Sequence, residues 1–109
     1  MVRLGFDGAE HVAVVGGGFC GLALVVQLLR TPAWQGRVTL FEPAPLLGGV
    51  AYTTDAPRHL LNVTADRMSL YPERPDDFVQ FAGAAGWADA GLQFLPRPLY
   101  GAYLRAAFA

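Results

Sequence analysis

Four glycines within six positions, Gly16, Gly17, Gly18 and Gly21, interrupt the most apolar stretch of the chain. That stretch runs from Val12 to Leu29 and reads VAVVGGGFCGLALVVQLL, with Gln27 as its polar interruption. Hydropathy alone would flag it as a membrane span. The glycines nevertheless fall at GxGxxG spacing, and Pro32 follows soon after, so strand, tight turn and helix is the better reading. Val12 to Val15 is a continuous apolar run ending at glycine, the pattern of a strand buried on both faces of a parallel sheet. Residues 19–30 read as a helix stopped by Thr31-Pro32. Leu22, Val25, Val26 and Leu29 share one face, and Leu24 and Leu28 make the opposite side apolar too. A helix apolar nearly all round is expected to be buried all round.

Beyond a turn at Trp34–Gly36, the segment RVTLFE, Arg37 to Glu42, alternates as a second strand. The three pieces predict a strand–helix–strand unit over residues 11–42, with parallel strands joined by a right-handed crossover. Residues 43–75 show no sustained periodicity, and a loop of that length in a small domain is usually functional. Residues 76–109 read as helical. Pro75 opens one helix, with Asp76 and Asp77 in its first turn and Gly86 as its stop. Pro98 opens another, carrying a stripe of Leu99, Tyr100, Tyr103, Leu104, Ala107 and Phe108 that runs to the last residue. The predicted fold class is therefore α/β, Rossmann-like and incomplete. A doubly wound sheet needs more parallel strands than these two, and the apolar surfaces of the first strand and helix exceed what this chain can cover. The expectation is an amino-terminal portion of a longer protein, whose carboxy-terminal remainder is the missing partner.

The glycines carry the chemistry. Gly16 allows a tight turn after the strand, Gly18 lets a pyrophosphate approach the bare backbone, and Gly21 lets the helix pack closely on the strand. The helix amino terminus then presents N–H groups and partial positive charge to the phosphates. Glu42 stands 21 residues after Gly21, close to where an acidic residue is expected to bind a ribose hydroxyl. A carboxylate there repels a 2′-phosphate but does not separate NAD from FAD. The bland alternatives are a buried glycine turn without a ligand and a solvated strand end at Glu42.

Other classes are disfavoured. A net charge of −1 and a pI near 6.0 give no basic footprint for nucleic acid. Asp7 and Glu10 precede the apolar run, which argues against a signal peptide. A single cysteine, Cys20, excludes an internal disulfide and fits a reducing, cytoplasmic setting. Cys20 sits where a helix can lower a thiol pKa, though a small apolar filler is the simpler reading. His11 and His59 are isolated, so no metal site is expected.

The segment GGVAYTTDAPRHLLNVTADRMSLYPERPDDFVQFA, after GGGFCG and FEP and before LPRPLYGAYLRAAF, resembles the FAD/NAD(P)-binding flavoprotein family that includes FAD-dependent urate hydroxylase-like and aspartate N-monooxygenase-like enzymes. The resemblance covers nearly all of residues 11–108 but only the first part of a full family member. It implies a glutathione-reductase-type FAD-binding domain in an NAD(P)H-dependent monooxygenase of a small polar substrate. Carried over, Gly16, Gly18, Phe19, Cys20 and Gly21 would line the FAD pyrophosphate, and Glu42 would bind the adenosine ribose. Gly49, Val50, Asn62 and Met68 would approach the pyrophosphate or the flavin. Arg58 or Arg67 would neutralise phosphate charge or lie on the surface; Arg97 and Tyr100 lead toward the substrate region, Tyr100 as packing. Thr64 stands where the family often carries proline, leaving that turn less rigid. No second GxGxxG for a nicotinamide nucleotide is present. Two further readings remain open: an NAD-dependent dehydrogenase domain, and a truncated, non-catalytic dinucleotide-binding piece.

Overall fold

The computed structural model describes residues 10–44 and 46–108. The reading of residues 1–9 as irregular lies outside them. The chain forms two compact units, residues 1–50 and 51–109.

The first unit is mixed α/β. Strand β1, His11–Val15, leads through the glycine turn into helix α1, Phe19–Leu29, and on to strand β2, Arg37–Phe41. β1 and β2 pair in parallel, with Val12 opposite Val38 and Val14 opposite Leu40. The long apolar run is thus divided between a strand and a helix of 11 residues, and no helix among the described residues is long and apolar enough to cross a membrane. Its turn lies at Pro32–Ala33, one step before the expected Trp34–Gly36. Thr31 closes it, its carbonyl accepting the Trp34 N–H at 3.1 Å.

Burial is more one-sided than the sequence pattern suggests. Val12 and Val14 are buried, but Val15 is 81% exposed. On α1 only Leu22, Val25 and Val26 are buried; Leu24 and Leu29 are exposed. The expectation of a strand covered on both faces and a helix buried all round is corrected. Among the described residues of this unit one helix accompanies the two-stranded sheet, and Val15, Leu24 and Leu29 stay exposed.

α2, Gly49–Tyr52, is the segment at which the two units join in sequence. The second unit is helical and loop-rich, with 3₁₀ turns at Ala65–Arg67 and Ala90–Leu92 and helices α3, Asp77–Ala84, and α4, Arg97–Ala106. The aperiodic stretch therefore holds short helical turns at residues 49–52 and 65–67. Non-local backbone bonds hold it instead of an amphipathic face: Leu61 N–H donates to Leu95 O at 2.8 Å and Arg97 N–H to His59 O at 2.6 Å. Thr64 has φ −67°, the value a proline ring imposes. Its hydroxyl donates to Asp66, so the turn has a local brace in place of the ring.

α3 ends as the glycine predicts. Gly86 has φ +100°, Trp87 N–H donates to Ala82 O and Gly86 N–H to Gly83 O, both at 3.0 Å, the paired bonds of a Schellman stop. α4 carries Pro98 in its first turn and closes at Ala106, short of the chain's end, which corrects the expectation of a helix running through the last residue. Tyr100, Gly101, Tyr103 and Leu104 are its buried face. Gly101 belongs there because a Cβ on it would strike the Tyr52 carbonyl oxygen.

The core of this unit is aromatic. Phe78 meets Tyr100 edge-on with ring centroids 4.8 Å apart, and lies 5.0 Å from Tyr103. Such pairs add about 0.5–1.5 kcal/mol beyond area burial. Each buried hydroxyl has a partner, as burial demands. Tyr100 donates to Met68 O at 2.9 Å. Tyr103 donates to Asp77 Oδ2 at 2.6 Å and accepts from Leu70 N–H at 3.1 Å. Burial first, and then the Asp77 carboxylate, pushes Tyr103 up to about 12. Tyr100 moves further the same way, through burial and then its neighbours Tyr103 and Tyr52. Above the ordinary phenol pKa of about 10 the unfolded chain has lost protons that the folded chain keeps. These tyrosines therefore stabilise the fold fully below pH ~10, and the contribution is lost as pH rises toward Tyr103's folded value of about 12. Tyr103→Phe is expected to lower the unfolding free energy at pH 7 by about 1–3 kcal/mol in urea denaturation, and to shift the phenolate absorbance titration toward lower pH.

Candidate functional site

The glycine turn is built where β1 ends. Gly16 continues the ladder one step beyond the strand, its N–H donating to Phe41 O at 2.8 Å. It then turns the chain with φ +99°, a value side-chain-bearing residues rarely adopt. Five residues on, Gly21 sits directly against this turn. A Cβ there would strike the Gly16 carbonyl oxygen and lie 3.3 Å from Val14 Cγ1. The first and third glycines of the motif are thus required by the protein itself.

Gly18 is different. It caps α1 with φ −77° and ψ −174°, extended backbone open to any residue. A Cβ on it would find Gly49 Cα at 3.8 Å, an ordinary contact. Neither backbone nor packing demands glycine here. α1 starts without a side-chain cap and without an acidic residue in its first turn, so no carboxylate of that turn offsets the positive end of its helix dipole. Phe19 and Cys20, at that start, are both exposed.

Two segments brace the turn. Glu42 follows β2 and reaches across to it: Oε1 accepts the Gly17 N–H at 2.7 Å and Oε2 accepts the Ala44 N–H at 2.9 Å. Ala44's N–H first, and then Gly17's, holds the Glu42 carboxyl below its ordinary value of 4.5. On the other side, Gly48 N–H donates to Gly17 O at 2.8 Å, and Gly18 and Gly48 form a parallel bridge. Gly49, at φ +69°, lies so near that a Cβ on it would be 2.9 Å from Gly18 Cα. Val50 follows, 97% exposed.

The structure therefore brings together Gly16, Gly18, Phe19, Cys20, Gly21, Glu42, Gly49 and Val50 in the first unit. Asn62 and Met68 lie in the second, where Asn62 is exposed and Met68 closes the 3₁₀ turn at Ala65–Arg67. Arg58 and Arg67 are exposed. Arg97 donates through Nε to Leu60 O at 2.9 Å and lies over the Tyr52 ring, a packing role within its own unit. His11 and Thr39 are hydrogen-bonded side by side on the two strands, and His59 pairs with Thr54. No group of three metal-ligating side chains occurs among the described residues. Gly17 and Gly48 were not singled out in the sequence. The triple glycine and the GG doublet were their signal, but the GxGxxG spacing skips Gly17.

A family model described as FAD-NAD(P)-binding matches residues 13–109. The chain belongs to the FAD-NAD(P)-binding family. No curated protein and no solved structure matches it. The matched span takes in both units and begins inside β1, so the glycine turn is part of the family's domain. Membership makes FAD and NAD(P)H the cofactors of the family to which this oxidoreductase-type domain belongs. The turn fits such a group: a helix start without a side-chain cap, a backbone position where a Cβ would make only an ordinary contact, and a carboxylate at the end of the second strand.

Because Gly21 packs against backbone, Gly21→Ala is expected to separate α1 from β1 and destabilise the protein by about 1–3 kcal/mol. A lowered thermal midpoint in the absence of any ligand is the measurement that checks it.

Proposed function

We propose that the Gly16–Gly21 turn holds the pyrophosphate of FAD, and that the protein acts in NAD(P)H-dependent hydroxylation of a small polar substrate. Gly18 carries the reading. Glycine there answers no need of the fold, and a missing side chain beside an uncapped helix start is what a diphosphate requires. The peptide N–H groups of Gly18, Cys20 and Gly21 and the positive end of α1 would meet the phosphate charge. Glu42 would accept from the adenosine ribose. A carboxylate offers about four acceptor positions, and the Gly17 and Ala44 amides take two. The same negative charge disfavours a 2′-phosphorylated ribose. Gly49 and Val50 would form the wall beyond Gly18. Bound FAD supplies the redox chemistry, while the protein places it and keeps water out. The hydroxylase assignment is supported by the resemblance of the GVAY, LLNV and DRMS segments to that flavoprotein family. A plain NAD-dependent dehydrogenase domain is the second reading, since the carboxylate at Glu42 serves the adenosine ribose of NAD and FAD alike.

Flavin fluorescence on titrating the protein with FAD tests this, with NAD as the competing ligand. Saturable quenching by the wild type is expected. Gly18→Ala should keep the wild-type thermal midpoint yet bind FAD about tenfold more weakly or worse, and Gly18→Leu should abolish binding. Wild-type affinity in Gly18→Leu overturns the proposal. Tight NAD binding without flavin binding transfers the site to the dehydrogenase reading.

A further inference from the structure

We propose that Glu42 is a positioning residue for the phosphate-binding turn, holding the Gly17 peptide so that Gly18 and its successors, and not Gly17, face the diphosphate. The proposal deepens the reading of this turn as a pyrophosphate site and rests on it. Gly17 is buried and held at both ends. Its N–H goes to Glu42 Oε1 at 2.7 Å, and its carbonyl accepts from Gly48 N–H at 2.8 Å. The peptide bond is planar and trans, so a carbonyl and the next residue's N–H point in opposite directions. With the Gly17 carbonyl fixed on Gly48, the Gly18 N–H is turned away from Gly48. The Gly17 N–H, spent on the carboxylate, is withdrawn from the anion. Oε2 on the Ala44 N–H at 2.9 Å anchors the other end of the carboxylate, so the side chain ties the turn to the segment after β2. Packing agrees: a Cβ on Gly17 would meet Leu47 Cδ2 at 2.8 Å and Glu42 Cγ at 3.1 Å. Gly17 is therefore a glycine to admit Leu47 and Glu42, while Gly18 is one to admit a ligand.

The two roles of Glu42 separate when the ligand has no ribose. A residue acting only on ribose leaves inorganic pyrophosphate binding unchanged in Glu42→Ala, and loss of a negative charge would even tighten it. A positioning residue predicts the opposite sign. Calorimetric titration of the full chain with inorganic pyrophosphate and with ADP is expected to show Glu42→Ala weakened toward both, by about tenfold. Glu42→Gln keeps an acceptor for Gly17 while losing the charge, and should fall between Glu42→Ala and wild type for pyrophosphate. Amide hydrogen exchange on the ligand-free protein provides a reading that needs no ligand: Gly17 and Ala44 should lose protection in Glu42→Ala while β1 and α1 keep theirs. Unchanged protection at Gly17 and Ala44, or pyrophosphate bound by Glu42→Ala as tightly as by wild type, overturns the proposal. If wild type binds neither pyrophosphate nor ADP, the pyrophosphate reading of the turn fails, and the exchange result still decides whether Glu42 holds it.

Discussion

The contact on which the first unit depends is the seat of Gly21 against the Gly16 carbonyl. With no Cβ in the way, α1 starts within one turn of the end of β1. That closeness puts the buried face of Leu22, Val25 and Val26 on the same side as the buried Val12 and Val14 of the strand. It also brings the helix start, with the positive end of its dipole, to the strand end. Packing and the placing of the helix start at the strand end are thus two results of one missing methyl group.

The position of Glu42 follows from strand register. Val15 pairs with Phe41, and Gly16 N–H takes the Phe41 carbonyl as the last rung. Gly16 then leaves the sheet at φ +99°. The next residue of β2's continuation faces the turn instead of a strand, and that residue is Glu42. The spacing between the glycines and the acid is therefore the length of one helix, one turn and one strand, set by pairing that begins at His11 and Arg37.

What could be read in the sequence was whatever a local rule specifies. β1, α1 and β2 declared themselves by period and by glycine and proline. Gly86 declared the end of α3, because only a positive φ completes that stop. The exposure of Leu24, Leu29 and Val15 departs from burial all round but agrees with an apolar surface larger than this chain can cover, because periodicity reports an apolar face and not the layer that covers it. The stretch from Pro43 to Pro75 stayed opaque for a different reason. Its order comes from pairing of residues 59–61 with residues 95–97 and from tyrosine hydroxyls reaching Met68 and Leu70, bonds between positions about 30 residues apart that leave no repeat. Within the turn, Gly16, Gly18 and Gly21 were found by spacing. Gly17 was not, since its partners, Glu42 and Gly48, are distant in sequence.

A carboxylate beside an anion site looks self-defeating, and magnitudes show why it is not. Two like charges a few ångströms apart in a water-like surrounding repel by about 1 kcal/mol. The helix dipole attracts an anion by about 0.3–1 kcal/mol, so these two long-range effects nearly cancel. Directed hydrogen bonds decide the balance, at about 1.5–3 kcal/mol each when one partner is charged. How many peptide N–H groups would aim at the proposed diphosphate therefore matters more than the sign of one neighbouring side chain. Glu42 takes two N–H groups, from Gly17 and Ala44, neither of them from the first turn of α1. They hold it ionised and below its ordinary pKa. The acid draws its compensation from outside the first turn of α1, from the Gly17 and Ala44 amides.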